Sequence, residues 1–142
     1  MKNSTDVLSS VLKTTQMGQV GIRSVLKLSL QTDLREALKS QLHEYDSIER
    51  DALAIANCRG WTLEQLHPIA KRMAEMTTRT KLSFGDSGSK TAAMMIQGNT
   101  RGMIKGLKNL HAYKQHDPQV SNISQKLLDC EKANILQMQG FL

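Results

Sequence analysis

The chain has 142 residues, 39% hydrophobic, 4% aromatic and 23% charged, with 19 basic against 13 acidic side chains. That length fits one domain, residues 1–142, which buries roughly 68% of the surface its unfolded chain exposes. Two prolines and nine glycines are too few for a fibrous or loop-rich protein, and few aromatics among many Leu, Met, Ala, Gln and Lys is the vocabulary of long helices.

No apolar run approaches the ~20 residues needed to cross a bilayer, so no membrane partner is expected. Met1-Lys2-Asn3-Ser4 leads into no signal-peptide core, and a cytoplasmic protein is the expectation. Cys58 and Cys130 cannot frame a disulfide scaffold or close a zinc site. They read as small packing residues in a reducing compartment.

The first segment, about Thr5 to Leu30, places Leu8, Val11, Leu12, Thr15, Gly18, Ile22, Val25, Leu26 and Ser29 on one helical stripe. Thr32 or Asp33 can cap a second helix with the stripe Leu34, Leu38, Leu42, Tyr45, Ile48, Ala52 and Ile55. Gly60 supplies the left-handed residue that ends it. Two helices joined by so short a turn must lie antiparallel. Thr62 with Gln65 resembles a capping box, and Pro68 suits the first turn of a short helix carrying Ile69, Met73, Met76 and Thr80. Gly85-Asp86-Ser87-Gly88-Ser89 interrupts it, and Ser87 or Ser89 can cap a third long helix reaching about Tyr113. Asp117 caps the fourth, Pro118 takes its first position and Gly140 ends it, with the stripe Val120, Ile123, Leu127, Glu131, Asn134 and Met138. The link of about thirty residues between the second and third helices can traverse a bundle, so those two helices can run parallel. That is the one-crossover topology of ferritin-like bundles.

Gly98, Gly102 and Gly106 stand four apart on the third helix. Each costs a helix interior ~1 kcal/mol against alanine, so the ladder predicts close packing on another helix, with Gly18 and Gly21 of the first helix as a matching shallow face. From Ser87 to His116 there is no acidic residue, and Arg101, Lys105 and Lys108 share one face. Binding of an anionic polymer is one reading of that face. No aromatic residue interleaves it, so nucleic acid is not the expected partner and a solvated face is the plainer account.

Two strings mislead. Gly85-Asp86-Ser87-Gly88-Ser89-Lys90-Thr91 looks like a phosphate loop, but a serine separates glycine from lysine and no strand precedes it. Its Gly-Asp-Ser-Gly also looks like a protease nucleophile, on a chain with no matching barrel. His43, His67, His111 and His116 fall on separate segments and read as surface residues. Met94, Met95 and Met103 read as core filler. More informative are Gln19, Glu49, Asn99 and Glu131, polar residues in or beside the apolar stripes near mid-helix. A buried carboxylate costs several kcal/mol unless paired or metal-bound. Di-iron bundles use two Glu and two Glu-x-x-His sets. Here Glu49-Arg50-Asp51-Ala52 and Glu131-Lys132-Ala133-Asn134 both lack the histidine.

Met94-Met95-Ile96-Gln97-Gly98, preceded by Asp86-Ser87-Gly88-Ser89, resembles an uncharacterised ferritin-like family of Firmicutes bacteria. The resemblance extends to Met17-Gly18, Lys71-Arg72-Met73-Ala74 and Leu127-Leu128-Asp129-Cys130-Glu131-Lys132-Ala133-Asn134, and so covers nearly the whole chain. It implies a helical bundle and no particular activity. Family members often carry a histidine and a glutamate early in the third helix, where this chain has Lys90 and Ala93.

The expected fold is therefore all-α, a ferritin-like four-helix bundle whose long crossover holds a short extra helix. The leading functional expectation is a non-catalytic bundle acting through protein contacts, as a homo-oligomer or with a protein partner, and without a cofactor. Its rival is a metal-binding or oxidative-stress protein that holds iron or another divalent ion on Glu49, Glu131, Gln19 and Asn99.

Overall fold

The computed structural model describes residues 2–73 and 87–142, with Ser87 through its backbone only. Four long helices carry the fold: α1 (Ser4–Val25), α2 (Thr32–Arg59), α3 (Ser87–Ala112) and α4 (Pro118–Gln139). No extended strand occurs among the described residues; Lys2 and Tyr113 share an isolated bridge. None of the described helices is long and apolar enough to cross a membrane.

Local chemistry sets the helix ends. Asn3 and Asp6 form a reciprocal capping box, the Asn3 side chain accepting from the Asp6 N–H at 2.8 Å. The first helix stops at Val25 rather than near Leu30, because the Arg35 guanidinium donates to the carbonyls of Leu26 at 2.9 Å and Leu28 at 2.6 Å. Those bonds hold the turn that leads into α2. Neither Thr32 nor Asp33 caps α2: Gln31 takes the cap position without a side-chain bond, and Asp33 sits in the first turn, where its charge suits the helix dipole. Gly60, at φ 66°, closes α2 in the left-handed conformation, and the Trp61 N–H returns to the Ala56 carbonyl at 2.9 Å. Asp117 accepts from the N–H groups of Gln119 and Val120 at the start of α4, with Pro118 as its first residue.

Contacts between helices fix their directions. Gln16 and Gln19 of α1 reach Glu49 and Asp46 of α2, so rising numbers meet falling ones. Asn109 of α3 donates to Ser10 of α1 at 2.5 Å, and Ser4 meets Tyr113 just beyond α3 at 2.6 Å. Hence α1 is antiparallel to both α2 and α3, and α2 and α3 run parallel. On the other side Gln41 of α2 meets Gln137 of α4 and Asp51 meets Lys126, another antiparallel pair.

Thr62 and Gln65 do not form a capping box, since residues 61–67 are not helical. They run beside α1 instead, the Glu64 N–H donating to Ser9 and the Leu66 N–H to Gln16. A helix begins at Pro68, as its first-turn proline predicts. However, Ile69 and Met73 are 63% and 64% exposed and do not form an inward stripe. Met76, Thr80 and Gly85-Asp86 of that reading lie outside the described residues.

The core gathers Leu8, Leu12, Ile22, Leu34, Leu38, Ile48, Val120 and Met138, all almost fully buried. Burying each such side chain contributes ~1.5–3 kcal/mol. The first helix is the most enclosed element: three helices and residues 61–66 cover it, which explains why Ser9, Ser10, Gln16, Gln19 and Ser24 are buried beside its apolar stripe.

Candidate functional site

Halfway along the bundle the apolar core gives way to a polar layer. Tyr45 of α2 lies at its centre, 2% exposed, with its hydroxyl 2.9 Å from Asn99 Oδ1 of α3 and 3.2 Å from Glu131 Oε2 of α4. Glu131 is itself 2% exposed. Burial pushes its carboxyl up to about 8, against the opposing pull of the Tyr45 hydrogen bond. Burial first, then the Glu131 and Cys130 charges, hold the Tyr45 phenol well above its ordinary range.

A proton count orders this triad. A phenol carries one hydrogen and can donate to one neighbour only. With Glu131 protonated, its hydroxyl donates to Tyr45 and Tyr45 donates to the Asn99 carbonyl. This chain satisfies both contacts with Asn99 in the observed orientation. With Glu131 ionised, Tyr45 must donate to the carboxylate, and Asn99 must turn its amide to donate instead. The raised carboxyl favours the first arrangement at neutral pH. Beside it, the Cys130 thiol donates to Glu44 Oε2 at 3.3 Å and accepts from Asn134 at 3.6 Å. Burial, with the Glu44 bond next, pushes that thiol up to about 12. At neutral pH this layer holds an acid, a phenol and a thiol, all uncharged. None is an activated nucleophile.

Glycines make room for it. A Cβ on Gly102 would stand 2.9 Å from Glu131 Oε1 and 3.1 Å from Thr14, and one on Gly18 would stand 2.7 Å from the Tyr45 ring. Gly106 packs on Leu128 in the same way, at 3.0 Å. Gly98 does not belong to this seam: it is exposed, with nothing within 4 Å of its Cβ position. Close packing therefore involves Gly18, Gly102 and Gly106, and Gly21 only loosely, through the end of Met95 at 3.7 Å.

The four residues singled out in the sequence divide into two sets. Asn99 and Glu131 share Tyr45, whereas Gln19 donates to Asp46 at 2.8 Å and to Glu49 at 3.2 Å on the α1–α2 seam. Gln16 adds bonds to Glu49 and Gln65. Glu49 is half-buried, and its bonds run to amides. Among the described residues no three His, Cys, Asp or Glu side chains come together as a metal-ligand group. Glu131 meets the Tyr45 phenol, and beyond the phenol lies the Asn99 amide. That set lacks the converging carboxylates and imidazoles of a di-metal centre.

Sequence reasoning missed Tyr45 as the hub, placing it among the apolar positions. Its signal was present, because a buried tyrosine needs a partner for its hydroxyl. Cys58, read as a packing residue, is exposed; Cys130 is buried, and both are free thiols. All four histidines are exposed, as are Arg101, Lys105 and Lys108. Comparison of the chain with protein-family models, with curated proteins and with solved structures finds no match.

Proposed function

We propose that this chain is a ferritin-like bundle that works through protein contacts, by self-association or with a partner protein, and catalyses no reaction. The topology supports the ferritin-like reading: two antiparallel hairpins, α1–α2 and α3–α4, with α2 and α3 parallel across a long link. The observation that carries the functional reading is the closed polar layer. The Tyr45 hydroxyl is shared by Asn99 and Glu131, the Asn99 Nδ2 is buried without a partner among the described residues, and the Gly102 backbone packs close against Glu131. At the surface, large apolar side chains such as Ile104, Leu136 and Leu142 stand 47%, 68% and 63% exposed. Each supplies apolar area that a partner or a second copy could cover.

Two measurements test this. Sedimentation of the purified chain should show a mass above the 15.8 kDa monomer that rises with concentration, or a discrete complex with a partner. Elemental analysis of protein prepared without chelator should show no stoichiometric iron, manganese or zinc. About one metal per chain, lost on Glu131→Ala, establishes the metal-binding reading in its place.

A further inference from the structure

We propose that the outward face of α3 docks an acidic amphipathic helix of a partner protein, with Ile104 and Leu107 as the apolar anchor and Arg101, Lys105 and Lys108 as the cationic rim. The proposal rests on the reading that the chain works through protein contacts. Arg101, Lys105 and Lys108 follow one another at helical steps of four and three, which sets the three cations along one flank of Ile104, with Leu107 on its other side. Ile104 is 47% exposed and Leu107 39%. Five of the six net positive charges of the chain fall between Ser87 and His116, where no acid occurs, and the remainder is close to balanced. Among the described residues no carboxylate lies within ion-pair distance of Arg101, Lys105 or Lys108. Burial first, then the charges of Lys13 and Lys2, hold the Lys105 ammonium below its ordinary range, so cations crowd this side of the bundle without a counter-charge.

Charge complementarity selects the occupant. Of the carboxylates a second copy offers, Glu36, Asp46, Asp51, Glu64 and Asp117 are paired with cations of their own chain. Asp33, Glu44 and Asp129 carry no ion pair among the described residues, so sedimentation is needed to separate a second copy from a partner. The same face turned on itself would set cation against cation. Nucleic acid would use the cations but leave the aliphatic anchor idle, with no aromatic platform for its bases. A helix with leucines along one side and glutamates along the flank beside them satisfies anchor and rim together.

The test is fluorescence anisotropy of the full chain at ~0.15 M salt with a synthetic helix of that design. Parallel titrations use a scrambled peptide of identical composition, phosphatidylglycerol vesicles and duplex DNA. The designed peptide should bind, the scrambled one at least about tenfold more weakly. Ile104→Ser and the pair Arg101→Glu with Lys108→Glu should each weaken binding by about tenfold or more, with unchanged circular dichroism. Equal binding of the scrambled peptide, indifference to Ile104→Ser, or tighter binding of vesicles or DNA overturns the proposal. Sedimentation of the same variants separates the two levels. If the chain still associates while the designed peptide fails to bind, only the α3 site falls; if Ile104→Ser dissociates a self-associated form, the occupant is a second copy and the proposal also falls.

Discussion

At the centre of the bundle the Tyr45 hydroxyl serves both the Glu131 carboxyl and the Asn99 carbonyl, while the Asn99 Nδ2 stays buried without a partner among the described residues. Two glycines decide whether the layer fits. Gly18 lets the Tyr45 ring approach α1, and Gly102 leaves room for Glu131 Oε1. The three glycines of α3 are thus unequal, and substitution should show it. Gly98 faces open space, so Gly98→Ala should stabilise the protein by ~0.5–1 kcal/mol through helix propensity alone. Gly102→Leu should cost ~1–3 kcal/mol by overpacking against Glu131 and Thr14. Denaturant titration of both variants checks the pair, and equal shifts would contradict the geometry. In the sequence the ladder was visible as a repeat of four, but three residues so spaced drift around the helix and cannot all face one neighbour. Glu131 and Asn99 were legible as polar residues in apolar stripes. Their bridge was not, because Tyr45 fits an apolar stripe equally well and only the partner helices reveal what its hydroxyl touches.

At the level of elements, the helix ends converge at one pole. The second helix ends and the fourth begins there, and the Arg59 guanidinium binds Asp117 and donates to Gln119 at 2.6 Å while lying 5.1 Å from the Trp61 ring. Asp117 meanwhile caps α4, and its own N–H donates to the Tyr113 hydroxyl at 3.0 Å. Beside Arg59, the Asp117 carboxyl is held below its usual range. Asp117→Ala removes a cap and an inter-helix contact together, so it should cost ~1–2 kcal/mol, and Asp117→Asn should recover most of the capping share. Thermal melts of the two variants separate cap from charge. This pole also shows what a sequence discloses about elements. Asp117-Pro118 and Gly60 mark helix ends with local chemistry, and their positions are as predicted. The end of α1 at Val25 is set by Arg35, ten residues further along the chain and on another helix, so periodicity alone extends the helix too far. Thr62 and Gln65 fail for the same reason. Ser9 and Gln16 of α1 take up the backbone N–H groups of Glu64 and Leu66, and residues 61–67 stay extended along α1 rather than coiling.

For the molecule as a whole, the buried acid makes stability a function of pH. The Glu131 carboxyl titrates at about 8 in the folded chain and near the ordinary 4.5 when unfolded. Between those values the folded state holds a proton that the unfolded state has released. Stability therefore falls as pH rises from about 4.5 to about 8, and the loss is complete above the folded value. Each unit in that window is worth about 1.4 kcal/mol at most, and relaxation of the layer, with Asn99 turning to donate to Tyr45, reduces the total to the order of a few kcal/mol. Glu131→Gln keeps the shape and removes the titration, since the amide can donate to Tyr45 at every pH. Chemical denaturation of both proteins from pH 5 to pH 9 isolates the effect, because every other titrating group is common to the two and cancels in the difference. The variant should gain on the wild type steadily up to about pH 8 and hold a constant lead beyond it. Parallel profiles would mean that Glu131 is ionised in the folded chain, with Asn99 already turned toward the phenol. The same experiment bears on the proposed absence of chemistry, because an acid held neutral at the centre of the bundle is a poor ligand for any cation until the pH rises past its folded value.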